Sequence, residues 1–246
     1  MWKGKKVSVV FSTYNEKDSI RKCIDGLFQT KFVDEVIAVD NNAVKGTKEE
    51  IFKTKAKYFH ETKQGFGWGY RRALYESNGD LIIMIEPDGT FDPNDVIKFL
   101  AYSDNFEVVF GTRTTSIMIG EGANMGWFLK WGNFAVAKMI EFMFNTTFLS
   151  DVGCTYRLIN RNAYNKIKNK LIITGNEFNP DMMLQVIKNK IPYIEIPVRY
   201  LRRVGVSSVT GDMKRTIPVG LKMILLILMH RLNIIHQKIK IKTNKR

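Results

Sequence analysis

The sequence is poor in the residues that build disulfide frameworks and structural zinc sites. It contains two cysteines, Cys23 and Cys154, and three histidines in 246 residues. The two cysteines lie far apart, and neither belongs to a C-x-x-C pattern or to a Cys/His ligand spacing. These absences argue against a disulfide framework or a cysteine-based zinc site and fit a reducing compartment.

The chain also lacks a recognisable targeting or membrane-spanning segment. Its first residues, MWKGKKV, have neither the apolar core nor the cleavage site of a signal peptide. Two apolar stretches, residues 117–149 and 217–232, are interrupted by lysines before they reach the roughly 20 apolar residues that cross a bilayer. We therefore expect a cytoplasmic protein.

Positive charge is concentrated at the C-terminal end. Residues 199–246 hold twelve Lys and Arg against one acid, which accounts for +11 of the net +14. Such a surface attracts nucleic acid, anionic lipid or phosphorylated substrates. Because the charge adjoins an apolar helix and does not alternate with aromatic residues, we expect no nucleic-acid partner.

Short apolar runs alternate with helical patterns along most of the chain. Strands are predicted at residues 7–11, 35–39, 56–59, 81–85, 107–110 and 194–198, and helices at 19–28, 47–54, 67–77, 93–103 and 180–189. This alternation predicts an α/β domain with a mainly parallel central sheet.

Two stretches interrupt this alternation. Residues 117–149 are rich in Met, Trp and Phe, and residues 217–232 contain the run MILLILM. Each predicts either a buried core helix or a helix lying at a membrane surface. We divide the chain into a domain at residues 1–210 and a basic, apolar helical extension at residues 211–246.

A carboxylate pair follows the most apolar strand. Glu86 and Asp88 come directly after LIIMI, where the carboxyl end of a strand in an open α/β sheet borders the ligand crevice. Two neighbouring carboxylates suit Mg²⁺ or Mn²⁺, which also bind substrate phosphates. The alternative is an acidic turn, since Asp, Gly and Pro are common turn residues.

Other polar groups are predicted at the same edge. Glu16 follows the first strand and Asp40 ends the second, so both could hold a ribose or a base, or could instead cap helices. Lys63, Gly65 and Gly67 form a glycine-rich turn that opens a helix. Bare backbone and a cation there could approach a pyrophosphate, although a flexible turn is the simpler explanation.

The order of these motifs resembles glycosyltransferase family 2, of the GT-A fold, and most closely the dolichol- and polyprenyl-phosphate sugar transferases. The resemblance covers roughly residues 5–210. The matching segments are VVFSTYNE (9–16), VDNN (39–42), GFG (65–67), NGD (78–80), EPDGT (86–90), GTR (111–113), DVGCTYR (151–157), EIPV (195–198) and RVGVS (203–207).

The resemblance implies a single GT-A domain and an inverting sugar transfer from a UDP- or GDP-linked donor. It implies donor contacts from Thr13, Tyr14, Glu16, Asp40, Lys63, Gly65, Gly67 and Asp88. Glu86 and Asp88 would bind Mg²⁺ or Mn²⁺. Arg113, Arg157 and Arg203 would face the donor diphosphate or the acceptor phosphate, with Ser207 also at the acceptor phosphate.

Departures from the family pattern bear on the acceptor. Glu86 replaces the usual first Asp of the metal motif, Ser208 replaces a frequent Lys, and Thr155 stands where related enzymes have Gly or an acid. A polyprenyl phosphate brings its own anionic oxygen and needs no strong base, which fits Thr155. A glycan hydroxyl would need a base, for which Asp151 is the candidate.

We therefore predict an enzyme that works at the cytoplasmic face of a membrane on a polyprenyl phosphate. The basic tail and the apolar helix would contact an anionic bilayer, or the helix would dock on a membrane-embedded partner subunit. The alternatives are a family 2 transferase for glycan hydroxyls and, from a different class, a non-catalytic basic nucleotide- or nucleic-acid-binding module.

Overall fold

A computed structural model describes residues 1–123, 126–205 and 213–234. Within these residues seven strands form one mixed sheet in the order β3-β2-β1-β4-β6-β5-β7. The strands are β1 (Val7–Thr13), β2 (Glu35–Asp40), β3 (Lys57–His60), β4 (Leu81–Met84), β5 (Val108–Thr112), β6 (Arg157–Asn160) and β7 (Tyr193–Pro197). Strand β6 is antiparallel to both of its neighbours, and the other neighbouring pairs are parallel. The predicted α/β class and mainly parallel sheet are confirmed.

Helices cover both faces of the sheet. Within the described residues they are α1 (Lys17–Gln29), α2 (Thr47–Phe52), α3 (Phe66–Glu76), α4 (Val96–Tyr102), α5 (Trp127–Phe144), α6 (Arg161–Ile167), α7 (Phe178–Lys188) and α8 (Met213–Arg231). Alternating strand residues supply two cores, because successive side chains point to opposite faces. In β1, Val9 and Phe11 pack in the core beneath α1 and α4, whereas Val10 packs in the core with α3, α5, α6, α7 and α8.

The parallel strands deliver their acidic ends to one edge of the sheet. Thr13 of β1 is in register with Asp40 of β2, and Val10 of β1 is in register with Met84 of β4. The chain leaves β4 directly into Glu86 and Asp88. The acids that follow β1 and β4 therefore lie along a common crevice, with Asp40 at the end of the neighbouring strand β2.

Strand β6 and helix α6 are absent from the sequence prediction. Strand β6 is four residues long and pairs antiparallel with β4 and β5. It therefore interrupts the series of parallel strands connected by helices. Asn160 caps α6 by accepting a hydrogen bond from the Ala163 amide at 2.7 Å. Each element is too short to show a clear hydrophobic period.

Helix α8 joins the main core through one face and leaves another face exposed. Leu226 and Ile227 are buried, and buried His230 is hydrogen-bonded through Nε2 to Asp181 of α7 at 2.9 Å. Leu221 and Leu225 are 61% and 57% exposed. None of the helices in the described part of the chain is long and apolar enough to cross a membrane. The core interpretation of this segment therefore holds for one face of α8, and the interfacial interpretation stays a prediction for the exposed face.

Candidate active site

The turn after β1 is folded around the carboxylate of Glu16. Its Oε2 accepts hydrogen bonds from the amides of Tyr14 at 2.6 Å and Asn15 at 2.9 Å, and from Thr13 Oγ1 at 3.2 Å. Its Oε1 lies 3.2 Å from Nη2 of Arg203. One oxygen therefore shapes the turn, and the other faces a cation across the crevice.

The turn after β4 carries the other two carboxylates. Asp88 Oδ1 accepts from the amide of Thr90 at 2.9 Å and also from its hydroxyl, while Oδ2 lies 2.8 Å from Arg203 Nη1. Glu86 Oε1 accepts from Thr155 Oγ1 at 2.6 Å. Burial, with a further contribution from the charge of Asp88, raises the pKa of Glu86 to about 7. This corner of the crevice therefore holds more negative charge than Arg203 alone balances.

Arg203 reaches the carboxylates because main-chain hydrogen bonds fix the segment that carries it. The Val204 amide donates to the Asp88 carbonyl at 2.9 Å, and the Leu201 amide donates to the Thr90 carbonyl at 2.7 Å. Residues 200–204 thus lie against the turn after β4. Arg203 joins that turn to the one after β1.

A second guanidinium, that of Arg113, faces the crevice from the end of β5. Asp151 binds it in a bidentate ion pair, Nε to Oδ2 at 2.8 Å and Nη2 to Oδ1 at 2.9 Å, and Oδ2 also accepts from the Arg113 amide at 3.0 Å. The guanidinium lies 5.3 Å from the ring centre of Tyr200. These contacts fix Arg113 in one orientation.

A third wall comes from the loop between β3 and α3. Asn41 Oδ1 accepts from the Gly65 amide at 2.9 Å, and its Nδ2 donates to the carbonyls of Glu61 and Lys63 at 3.0 and 2.8 Å. The amide of Gly67 is bound by the Thr174 carbonyl at 2.9 Å. Asn41 thereby holds the glycine-rich turn against the end of β2.

These walls enclose a cavity of about 690 Å³ with two chemically distinct ends. Its polar end is lined by Thr13, Tyr14, Glu16, Asn41, Gly65, Glu86, Arg113, Tyr200 and Arg203. Its other end is lined by residues of α5 and α8: Leu129, Gly132, Val136, Ile217, Gly220, Leu221, Met223 and Ile224. A charged crevice therefore opens directly into an apolar groove between two helices.

Comparison with known proteins identifies the family. A sequence model described as glycosyl transferase family 2 matches residues 8–168, well over half of the chain. The chain belongs to glycosyl transferase family 2. The match spans the segments that place Glu16, Glu86 and Arg113 in the lining of the cavity.

Relatives extend the comparison. The low-salt glycan biosynthesis hexosyltransferase Agl6 of Haloferax volcanii is 24% identical over 208 residues, which are 82% of this chain and 49% of that protein. The chain thus spans about half the length of this curated relative.

Solved structures share the fold. Glucosyl-3-phosphoglycerate synthase from Mycobacterium tuberculosis, in complex with Mn²⁺, UDP and phosphoglyceric acid, superposes with a TM-score of 0.73 at 14% identity, over 93% of this chain and 78% of that one. A complex of the same enzyme with Mn²⁺, UDP-glucose and phosphoglyceric acid gives a TM-score of 0.73 at 15% identity, over 93% and 80%.

Most of the site residues predicted for this family 2 chain do meet at the cavity. Those that line it are Thr13, Tyr14, Glu16, Gly65, Glu86, Arg113 and Arg203. Asp88 is buried beside them and contacts Arg203. Ser207 lies outside the described residues. These residues therefore lie together as predicted, and their roles towards donor and acceptor stay predictions.

Three predicted donor contacts are placed elsewhere. Asp40 accepts from the Ala43 amide at 2.7 Å and from the Tyr58 hydroxyl at 3.0 Å, so both of its oxygens stabilise the end of β2. Lys63 Nζ lies 4.5 Å from the ring centre of Trp68. A Cβ on Gly67 would lie 2.5 Å from the Ile173 carbonyl oxygen, so this glycine permits close backbone packing and does not form an open phosphate cradle.

The prediction that Arg157 faces a phosphate is wrong. Its guanidinium is fully buried and donates to the carbonyls of Cys154 at 2.7 Å, Val152 at 2.9 Å and Asn179 at 2.5 Å. Burial lowers its pKa to about 10. Arg157 therefore stabilises the segment before β6 from the interior of the protein.

The prediction of Asp151 as a general base is also contradicted by the geometry. Its carboxylate is fully buried, both oxygens bind Arg113, and the Gly153 amide donates to Oδ1 at 3.0 Å. These partners lower its pKa against the opposing effect of burial. A carboxylate engaged in this way orients Arg113 and does not accept a substrate proton.

Several residues that line the cavity are not among the predicted site residues, notably Asn41, Asn133, Asn179 and Tyr200. Asn41 stood beside Asp40 in the family segment and could have been chosen by its amide chemistry. Asn179 donates to Thr155 Oγ1 at 2.8 Å, which in turn donates to Glu86. No local pattern marks Asn133 or Asn179, since only the tertiary fold brings α5 and α7 to the crevice.

The ion pair predicts the effect of Asp151→Asn. The substitution leaves Arg113 largely buried without its countercharge, so we expect the free energy of unfolding to fall by about 3 kcal/mol. Denaturant unfolding measures this change. The exposed Asp25, which pairs with Arg21 on α1, supplies a control, and Asp25→Asn should change stability by about 0.5 kcal/mol or less.

The same variant separates positioning from base catalysis. We expect weaker acceptor binding with an unchanged shape of the pH–rate profile. A variant that keeps wild-type stability but loses the acidic limb of that profile would restore Asp151 as the base.

Glu195, which contacts the main chain of Asp151, is expected to make the stability of the fold depend on pH. It accepts from Ser150 Oγ at 2.5 Å and from the Asp151 amide at 3.1 Å, and its burial raises its pKa from 4.5 to about 7. The folded state binds this proton more tightly than the unfolded state. Glu195 therefore destabilises the fold progressively as pH rises from about 4.5 to about 7.

Glu195→Gln should remove this dependence, because the amide is neutral throughout. We expect the variant to gain stability relative to wild type at pH 8 compared with pH 5, measured by denaturant unfolding at both pH values. The exposed Glu49→Gln serves as the control. An equal difference between Glu195→Gln and wild type at the two pH values would contradict the assignment.

Proposed function

We propose that this chain transfers a sugar from a nucleotide-diphosphate donor to a phosphate group on a membrane-held polyprenyl acceptor. The observation that carries the proposal is the cavity itself, in which carboxylates and guanidinium groups adjoin an apolar groove. Family 2 membership supports glycosyl transfer, and the Mycobacterium tuberculosis complexes with UDP or UDP-glucose support a nucleotide-sugar donor.

In the proposed reaction, an acceptor phosphate oxygen forms a bond to C1 of the sugar. The bond between C1 and the donor diphosphate breaks, and its electron pair leaves on the nucleoside diphosphate, so the transfer inverts C1. The phosphate oxygen is already anionic at neutral pH, which fits the engagement of Asp151 by Arg113. Arg113 and Arg203 would bind the acceptor phosphate and the departing diphosphate and would hold the reacting atoms together.

The carboxylate pair suits a divalent metal, Mg²⁺ or Mn²⁺. Buried Asp88 and partly exposed Glu86 offer oxygen ligands in a corner with surplus negative charge. No group of three or more His, Cys, Asp or Glu side chains among the described residues could hold a metal. Donor phosphate oxygens would therefore complete the coordination. When bound, such a cation stabilises negative charge on the leaving diphosphate.

A soluble phosphorylated acceptor is the alternative. The Mycobacterium tuberculosis synthase is seen with phosphoglyceric acid, and Agl6 is a glycan biosynthesis hexosyltransferase. A small acid or a glycan hydroxyl would use the polar end of the cavity and leave the groove between α5 and α8 without a role. Transfer assays with polyprenyl phosphate, phosphoglyceric acid and a free glycan in parallel distinguish the three acceptors.

Asp88→Asn tests the donor site. Asparagine keeps an acceptor oxygen for Thr90 but removes the charge, so we expect turnover to fall at least about a hundredfold. Thermal stabilisation by nucleotide sugar with Mn²⁺ should also disappear, and chelation should abolish wild-type activity until Mg²⁺ or Mn²⁺ is restored.

The control for Asp88→Asn is Asp25→Asn on the exposed surface of α1. It should retain full turnover. Unchanged turnover in Asp88→Asn, with donor and metal saturating, would refute the donor and metal assignment.

We also propose that the protein works at the cytoplasmic face of a membrane. Trp127 on α5 is 76% exposed and Leu225 on α8 is 57% exposed, both on helices that line the cavity. The basic sequence at residues 238–246 follows α8 in the chain and would add attraction for anionic lipid. A membrane-embedded partner subunit remains the alternative occupant of this surface.

The outer face of α8 can be tested with the double substitution Leu225→Glu/Leu228→Glu. We expect binding to anionic liposomes to fall at least tenfold, because each buried leucine contributes about 1.5–3 kcal/mol. Sedimentation with liposomes at low and high salt measures this.

The matched control for the liposome test is Phe52→Glu/Tyr75→Glu, which makes the same charge change at exposed positions of α2 and α3. It should bind almost as wild type does. If both double variants lost liposome binding equally, the loss would be due to the change in net charge, and an apolar docking face would be refuted.

A further inference from the structure

Two glycines in the groove between α5 and α8 are not required by packing against the described part of the chain. Gly132 lies inside α5 and Gly220 inside α8, and both line the cavity. Glycine within a helix lowers stability relative to alanine. A Cβ on either residue would meet no heavy atom of the residues that the structure describes within 4 Å. Their lack of a side chain leaves space open towards the cavity.

Glycines elsewhere in the fold show the contrast. A Cβ on Gly69 of α3 would lie 1.9 Å from Ser12 Oγ, and one on Gly111 of β5 would lie 2.7 Å from the Tyr156 carbonyl oxygen. There, close approach of neighbouring atoms requires glycine. At Gly132 and Gly220 no atom from the described ranges lies close enough to require glycine, so the open space itself is the feature to be explained.

The chemistry of the groove limits what can occupy that space. None of the residues that the described parts of α5 and α8 contribute to the lining is charged, and most are aliphatic, such as Leu129, Val136 and Met223. The groove is continuous with the polar end, where Arg113 and Arg203 lie. A ligand that fills both ends therefore carries a polar head and a hydrocarbon chain, and a phosphate head would bind Arg113 and Arg203.

We propose that this groove holds the hydrocarbon chain of the phosphate-bearing acceptor and that Gly132 and Gly220 set its width. The inference rests on the proposed function and assigns its chain-binding subsite. The first part of the chain lies between α5 and α8, and the exposed apolar side chains of both helices mark its route to the bilayer.

Kinetics with acceptors of two lengths test the specificity. For Gly220→Leu and Gly132→Leu we expect the KM for a C55 polyprenyl phosphate to rise at least tenfold and that for methyl phosphate, which has no chain to fill the groove, to change little. The KM for the donor should not change. Ala101→Leu, at an exposed position of α4 away from the cavity, is the control. Equal KM changes for both acceptors would overturn the proposal.

Cysteine protection tests the subsite without relying on transfer. Cys23 and Cys154 are buried, so Gly220→Cys adds a thiol that alkylating reagents can reach from the cavity. Farnesyl phosphate should slow its alkylation at least fivefold, inorganic phosphate should not, and Ala101→Cys should be unaffected by either.

The two experiments fail in distinguishable ways. Protection by farnesyl phosphate in a protein that transfers sugar to no lipid phosphate would refute the proposed acceptor and leave the chain subsite standing. Alkylation at equal rates with and without farnesyl phosphate would overturn the subsite, whatever the transfer assay shows.

Discussion

The guanidinium of Arg203 holds together the acidic crevice on which the rest of the site depends. It lies within 3.2 Å of Glu16 and 2.8 Å of Asp88, which come from the turns after β1 and β4. Three carboxylates at this edge would repel one another if Arg203 were absent, and their burial would add a desolvation cost. Residues 200–204 are hydrogen-bonded to the turn after β4. When this segment packs against the turn, Arg203 therefore neutralises part of the negative charge of the crevice.

Two other arginines show how the crevice is built from behind. Arg157 gathers three carbonyl oxygens and so fixes the segment from which Thr155 donates to Glu86. Asp151 orients Arg113, and its own amide donates to Glu195. The groups that line the crevice are therefore held in place by buried polar neighbours. Each of these neighbours is little exposed and makes several hydrogen bonds.

The acidic residues of the crevice could be predicted because the position of each depends only on the strand that precedes it in the sequence. A buried strand followed by an acid places that acid at the carboxyl edge of the sheet, whatever the details of packing, and this is true of Glu16 and Asp88. The sequence could not predict the orientation of Arg157, because strand alternation is ambiguous in the four residues of β6. Nor could it show that Asp151 faces Arg113, since 38 residues separate the partners and only the register of the sheet joins them.

The apolar residues on both sides of helix α8 explain why its composition alone did not distinguish a core helix from an interfacial helix. In the run MILLILM, Leu226 and Ile227 face the core, whereas Leu225 and Leu228 lie on the outer side. An amphipathic surface helix presents polar residues outward, whereas α8 is apolar on both sides. The protein core covers one side. The proposed membrane surface or partner subunit would cover the other, and an acceptor chain leaving the proposed groove would enter the same apolar environment.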